Sequence, residues 1–219
     1  MKTPTARRKP SAMRKPSAMR KSFAQHEPYE GGATPRESGT EILSDGVLLI
    51  LKFVESHLSG TELGLLKELK PGEYIPLETL QPFWELLTKR SPDEVRVAIK
   101  GMVYRNKRIL AETGARSPAD ALRFSNVLYQ TFNRGPRLGG REVVAEGDNK
   151  IIVDDSTWPG CGTSEWFIEA YVRAFGARAV RIEHLKPCRL RGERQCRYRV
   201  RWAGVRQARD QEGPASPRP

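Results

Sequence analysis

Long apolar runs, cysteine and histidine are all scarce in this chain of 219 residues. The longest unbroken aliphatic run is Val47 to Leu51, far short of the roughly 20 residues that cross a bilayer as a helix, so no membrane span is expected. The basic first 22 residues are not followed by an apolar stretch, which argues against a secretory signal and for a cytoplasmic location. Three cysteines, an odd number with no export signal, argue against a disulfide framework and leave reduced thiols or metal ligands. The only histidines are His26, His57 and His184. GxSxG, GxxxxGK, GxGxxG and HExxH are all missing, and Gly160-Cys161-Gly162 lacks the third glycine of a dinucleotide loop. No nucleophile is paired with a base, so no catalytic residue is assigned and the chain is expected not to be an enzyme.

Charge is plentiful but uneven. The chain holds 38 Lys and Arg against 26 Asp and Glu, a net charge of +12. Eight of those charges lie in residues 1–22, on Lys2, Arg7, Arg8, Lys9, Arg14, Lys15, Arg20 and Lys21, with no acid among them, and residues 203–219 carry +1, which leaves +3 for residues 23–202. The arm repeats itself: Arg8-Lys9-Pro10-Ser11-Ala12-Met13 is followed by Arg14-Lys15-Pro16-Ser17-Ala18-Met19. Proline at this frequency with little to bury predicts disorder. Three roles stay open for the arm: a solvated tail, a grip on nucleic acid or an acidic protein through counterion release, and regulation by phosphorylation at Ser11 and Ser17, each three residues after an arginine. Residues 1–42 therefore read as tail and linker, 43–202 as the folded domain, and 203–219, with three prolines among charges, as a second tail.

Within the domain the apolar spacing is first helical. Val47, Leu48, Leu51, Val54 and Leu58 predict a helix stopped by Gly60, and Leu63 to Leu69 a short amphipathic segment ended by Pro71-Gly72. A third helix opens at Pro76-Leu77 and runs through Leu87. Ser91-Pro92-Asp93-Glu94 predicts a capped start for a helix to about Glu112, and Ser117-Pro118-Ala119-Asp120 another to Gly135, with Leu122, Phe124, Val127, Leu128 and Phe132 buried. The period then becomes two. Val143-Val144 and Ile151-Ile152-Val153 flank a Gly147-Asp148-Asn149 turn, and Arg178–Leu185 and Cys196–Trp202 flank a glycine-bearing loop, which predicts two hairpins. Between them Ser164 to Phe175 reads as a helix capped by Thr163 or Ser164. The fold class is α+β: N-terminal helices, then hairpin, helix, hairpin, with an antiparallel sheet packed on helices.

The cysteines give the strongest local pattern. Cys188 and Cys196 bracket the second hairpin loop and Cys161 precedes the helix. Three sulfurs with Glu183 or His184 would supply a tetrahedral zinc set, but the seven-residue spacing is not a standard one, and buried reduced thiols fit it as well. The stretch Trp158-Pro159-Gly160-Cys161, Phe167-Ile168-Glu169-Ala170-Tyr171, Glu183-His184 and Cys188 to Trp202 resembles the C-terminal part of 4-vinyl-reductase-type and heme-NO-binding-like sensor domains, in particular uncharacterised bacterial proteins of about 200 residues. In that superfamily, phenol-sensing members hold zinc on three cysteines and a glutamate, beneath an aromatic-ligand pocket. The resemblance implies zinc on Cys161, Cys188 and Cys196, and it implies homodimers. Leu185 stands at the glutamate position, so Glu183 or His184 must complete the set. Heme is not expected, because neither the histidine-bearing helix nor the propionate clamp of the heme sensors is recognisable. A pocket between helices and sheet would be lined by Phe124, Tyr129, Trp166, Phe167 and Tyr171, although the same residues would serve a filled core.

The expected function is a cytosolic, non-enzymatic regulatory or sensor domain that binds a small apolar ligand or a protein partner, with the arm for localisation or regulation. Two alternatives stand beside it: a nucleic-acid-associated protein that uses the arm, and a purely structural interaction module. Replacing Ser11 and Ser17 with Glu should weaken salt-sensitive binding of the full chain to DNA or RNA; unchanged affinity in a salt titration would mark the arm as a solvated tail.

Overall fold

The computed structural model describes residues 39–136, 138–158 and 160–205. The arm, with Ser11 and Ser17, lies outside the described residues, as does the side chain of His57. Strand β1 (Glu41–Leu43) leads into helices α1 (Ser44–Val54) and α2 (Gly60–Lys67), with a 3-10 turn at Glu55–His57 between them. Strand β2 (Tyr74–Pro76) precedes α3 (Leu77–Arg90), α4 (Pro92–Arg105), α5 (Lys107–Glu112), α6 (Pro118–Arg123) and α7 (Ser125–Phe132). The second half runs β3 (Asn133–Arg134), β4 (Arg141–Gly147), β5 (Lys150–Asp155), α8 (Cys161–Ala174), β6 (Ala177–Arg178), β7 (Arg181–Leu185), a 3-10 turn at Arg189–Arg191, β8 (Cys196–Arg201) and β9 (Gly204–Val205). The fold is α+β, and among the described residues no helix is long and apolar enough to cross a membrane.

The main sheet is antiparallel in the order β4-β5-β8-β7, so the two hairpins meet through their inner strands β5 and β8. Alternation gives it one buried face, on which Ile151, Val153, Tyr198 and Val200 are sealed. Helix α8 crosses from one hairpin to the other and packs on α4 and α6, and α4 in turn packs on α1. One apolar core runs from α1 through α4 and α8 to the sheet. The chain's hairpin turn is the expected one: Asn149 takes the left-handed conformation, φ 52°, between β4 and β5.

Several local expectations are corrected. The helix expected from Ser91 to Glu112 breaks at Asn106, whose backbone N–H and side-chain Nδ2 both donate to the Met102 carbonyl, at 3.2 and 2.8 Å, so that Asn106 closes α4 as its C-cap. Ser91 does not cap α4, for its buried hydroxyl makes no hydrogen bond; Pro92 in the first turn sets the start instead. The helix after Ser117 divides at Phe124, where the Ser125 hydroxyl bonds the Leu122 carbonyl at 2.7 Å. Its start is the expected one: Ser117 and Asp120 form a reciprocal capping box. Helix α8 begins at Cys161, three residues before the expected Ser164, and neither Thr163 nor Ser164 caps it. Strands β1, β2 and β3 form a small sheet, in the order β2-β1-β3, that no periodicity announces, since two or three residues carry no readable period. Strand β1 begins just before the expected domain start, and β9, paired with β6, lies just past its expected end.

Gly139 and Gly140 set the entry to β4. Gly140 and Ser156 exchange hydrogen bonds, N–H of Ser156 to the Gly140 carbonyl at 2.9 Å and N–H of Gly140 to the Ser156 hydroxyl at 3.0 Å. Gly139 has φ +67°, and a Cβ there would lie 2.2 Å from the Ser156 carbonyl oxygen, so both conformation and contact require glycine. Gly139→Ala should lower stability by about 2 kcal/mol or more, measured by urea denaturation.

Candidate metal centre and ligand cavity

The N-terminus of α8 and the loop of the second hairpin bring four ligand-type side chains together. One ligand atom each of Cys161, His184, Cys188 and Cys196 lies within 4.8 Å of all the others. The Cys161 sulfur is 3.0 Å from that of Cys196 and 4.0 Å from that of Cys188, and none is in a disulfide. A tetrahedral zinc with Zn–S near 2.3 Å separates its sulfurs by about 3.8 Å, so one observed edge already matches and the other is tighter. The His184 ring stacks on Tyr198, centroids 4.6 Å apart, and its buried Nε2 has no hydrogen-bond partner, while Nδ1 faces Glu165 Oε1 at 3.8 Å. That is the orientation in which one ring nitrogen is left for a metal and a carboxylate lies behind the other. Burial, followed by the charges of Arg189 and Arg191, holds the His184 pKa below its usual value and keeps the ring neutral.

The thiols are not equivalent. Burial, and then the hydrogen bond with Cys196, pushes Cys161 up to about 12. Burial acts the same way on Cys196, but the Arg189 N–H, 3.4 Å from its sulfur, the Cys161 thiol and the Arg189 guanidinium outweigh it, so its pKa falls below the ordinary thiol value. Cys196 is thus a stronger acid than Cys161. The Tyr198 hydroxyl ties the α8 start to the sheet through the Cys161 carbonyl at 2.9 Å. Glu183 is corrected as a ligand: strand alternation turns it to the other face of the sheet, where it accepts from Arg199 at 2.8 Å.

Between the helices and the sheet lies a cavity of about 100 Å³. Its wall includes Ile50, Leu51, Leu87 and Met102, the paired rings of Trp84 and Trp158, centroids 5.4 Å apart, and Tyr129, Phe167 and Tyr171 from the expected set. Phe124 and Trp166 are corrected: Phe124 packs near Gly114 and Trp166 against the core, and neither lines the cavity. One charged group lines it, Arg141, 2% exposed and paired with the fully buried Asp155, Nε to Oδ2 2.7 Å. Asp155 also accepts from the N–H and hydroxyl of Thr157, and that hydroxyl accepts from Arg141 Nη2. Sequence reading did not single out Arg141, although an arginine at the first inward position of a strand whose inward face is apolar is the available signal.

Strand register connects the two features. Arg141 of β4, Asp155 of β5 and Cys196 of β8 are cross-strand partners in one row, so the cavity arginine and a cluster sulfur flank the same carboxylate. Arg189 bridges them from the hairpin loop, donating to the Thr157 carbonyl at 2.7 Å.

No family model matches the chain, and no curated protein matches it in sequence. A solved H-NOX protein from S. oneidensis in the Fe(II) ligation state is similar in structure, with a TM-score of 0.54 at 13% identity over 75% of this chain and 98% of that one. A mutant of T. Tengcongensis H-NOX covers 77% of this chain and 98% of its own, at 12% identity and a TM-score of 0.46, too low to bear an argument. The likeness shows a shared fold, that of the heme-NO-binding side of the resemblance; the nearer kinship with 4-vinyl-reductase-type and uncharacterised bacterial proteins is not shown. The residues do not fit a heme. Among the described residues the cavity wall offers no histidine or cysteine to an iron. Its phenols are held protonated by burial, and the Tyr129 hydroxyl is engaged with the Leu138 carbonyl and the Trp158 N–H.

Asp155→Asn leaves the Arg141 charge buried without its counter-ion and should cost about 3–5 kcal/mol in urea denaturation, whereas Arg141→Met with Asp155→Leu, which removes both charges, should cost clearly less.

Proposed function

We propose that this chain is a ligand-binding domain of the sensor kind, not an enzyme, that takes one small apolar molecule into the cavity and holds a zinc ion on Cys161, His184, Cys188 and Cys196. The observation that carries this reading is the nearly apolar cavity whose arginine shares a strand row with a sulfur of the largely buried thiol and imidazole set. At about 100 Å³ the cavity is smaller than the roughly 150 Å³ of an apolar cavity that admits benzene, which limits the ligand to a single ring or a short branched chain. Zinc on three thiolates and an imidazole is structural, with no open position for chemistry. Here it would clamp the start of α8 to the second hairpin and so hold the end of the sheet on which Arg141 stands. A ligand that moves Phe167 or Tyr171 on α8 acts on the same helix that begins at Cys161, which gives occupancy a route to the clamp.

The protein purified without chelator should contain one zinc per chain by elemental analysis. Cys188→Ser and Cys196→Ser should lose it and Glu183→Ala should keep it; metal-free protein of full stability would sink the zinc reading. Because thiolate and neutral imidazole are the binding forms, zinc affinity should fall as pH falls, read by competition with a chromogenic chelator. Quenching of tryptophan fluorescence by small apolar compounds, with Trp84 and Trp158 in the wall, tests the cavity; no response to any of them would count against it.

A further inference from the structure

The polar groups of the cavity wall divide into those already engaged and those left over. Tyr129 is committed on both sides, Asn133 Nδ2 donates to the Tyr129 carbonyl at 2.6 Å, and Trp84 Nε1 donates to the Thr163 hydroxyl at 3.3 Å. Arg141 spends Nε on Asp155 and Nη2 on Thr157. Its Nη1 makes no hydrogen bond among the described residues, and neither does the Tyr171 hydroxyl. Both residues belong to the wall, and the guanidinium carbon is 5.6 Å from the Tyr171 ring centroid and 5.6 Å from that of Phe167. Asp155 and Thr157 fix the guanidinium from behind, so its free edge is held in place without a ligand. A guanidinium cannot shed its proton, so Arg141 keeps a charged donor on a cavity wall that also holds Tyr171. The group that best answers a fixed guanidinium edge is a carboxylate, through charge-assisted bonds about twice as strong as neutral ones.

We propose that the cavity selects a small apolar monocarboxylate, one ring or a short branched chain in size, with its carboxylate on Arg141 Nη1 and the Tyr171 hydroxyl and its apolar body toward Trp84, Met102 and Leu87. The proposal rests on the reading of the cavity as a ligand site, and it adds the chemical class of the ligand. Asn133 and the phenols could receive a neutral polar molecule as well, so the discriminating comparison is between ligands of one shape that differ in charge.

The test is calorimetric titration of the full-length, zinc-loaded chain at pH 7 with benzoate, benzamide and toluene. Benzoate should bind at least tenfold tighter than benzamide or toluene. Tyr171→Phe, which keeps the ring, should weaken benzoate several-fold and leave toluene unchanged. Arg141→Gln combined with Asp155→Asn, which avoids a lone buried charge, should abolish the preference for benzoate. Equal affinities for benzoate and benzamide, or benzoate binding untouched by Tyr171→Phe, overturn the proposal. Binding of toluene without binding of benzoate overturns it while the cavity stands as a ligand site. Failure of all three to bind overturns the cavity reading together with the proposal.

Discussion

The Asp155 carboxylate has no surface in contact with water, and much of the domain's inner geometry follows from what keeps it charged there. A buried carboxylate survives ionised only with a counter-ion and a full set of donors. Arg141 supplies the first, and the Thr157 N–H and hydroxyl the rest. Those partners must be held, so Gly139-Gly140 clasps Ser156 beside them and Arg189 reaches over from the hairpin loop. The same carboxylate is the cross-strand neighbour of Cys196. Cavity and thiol cluster thus lie on two sides of one carboxylate.

The charge distribution of the sheet's outer face is a different matter. Arg197 grips the nearly buried Asp154 carboxylate across neighbouring strands through both Nε and Nη2, and Arg199 pairs with the exposed Glu183; the second, exposed pair contributes little to stability. Arg199 engages Glu183 on the face to which strand alternation turns it, away from the cysteines. The fourth member of the cluster is therefore His184, the one residue of the adjacent pair that alternation sends inward.

How far the sequence could be read depended on the length of each signal. The hairpins, α8 and the class of fold were legible because five or more residues kept one period, and Gly147-Asp148-Asn149 named its own turn. Helix breaks at Asn106 and Phe124 were not, because each rests on a side chain that borrows a carbonyl from the helix, a choice that composition does not record. At the site, the three cysteines could be gathered because two of them bracket a hairpin loop. The choice between Glu183 and His184 is set by the parity of strand β7, in which His184 shares the cysteines' face of the sheet and Glu183 does not. The wall of the cavity was harder: it draws on α1, α3, α4 and α7 as well as α8, and contacts between elements so far apart in the chain leave no local trace.

That spread has a temporal consequence. Helices α1 and α3, which furnish the apolar wall, leave the ribosome long before strands β5 and β8 exist to close it, and all four members of the thiol and imidazole set lie between residues 161 and 196. A nascent chain thus carries an open greasy surface until those strands emerge. The cluster cannot assemble before β8 supplies Cys196, so metal uptake would report that the main sheet has been closed.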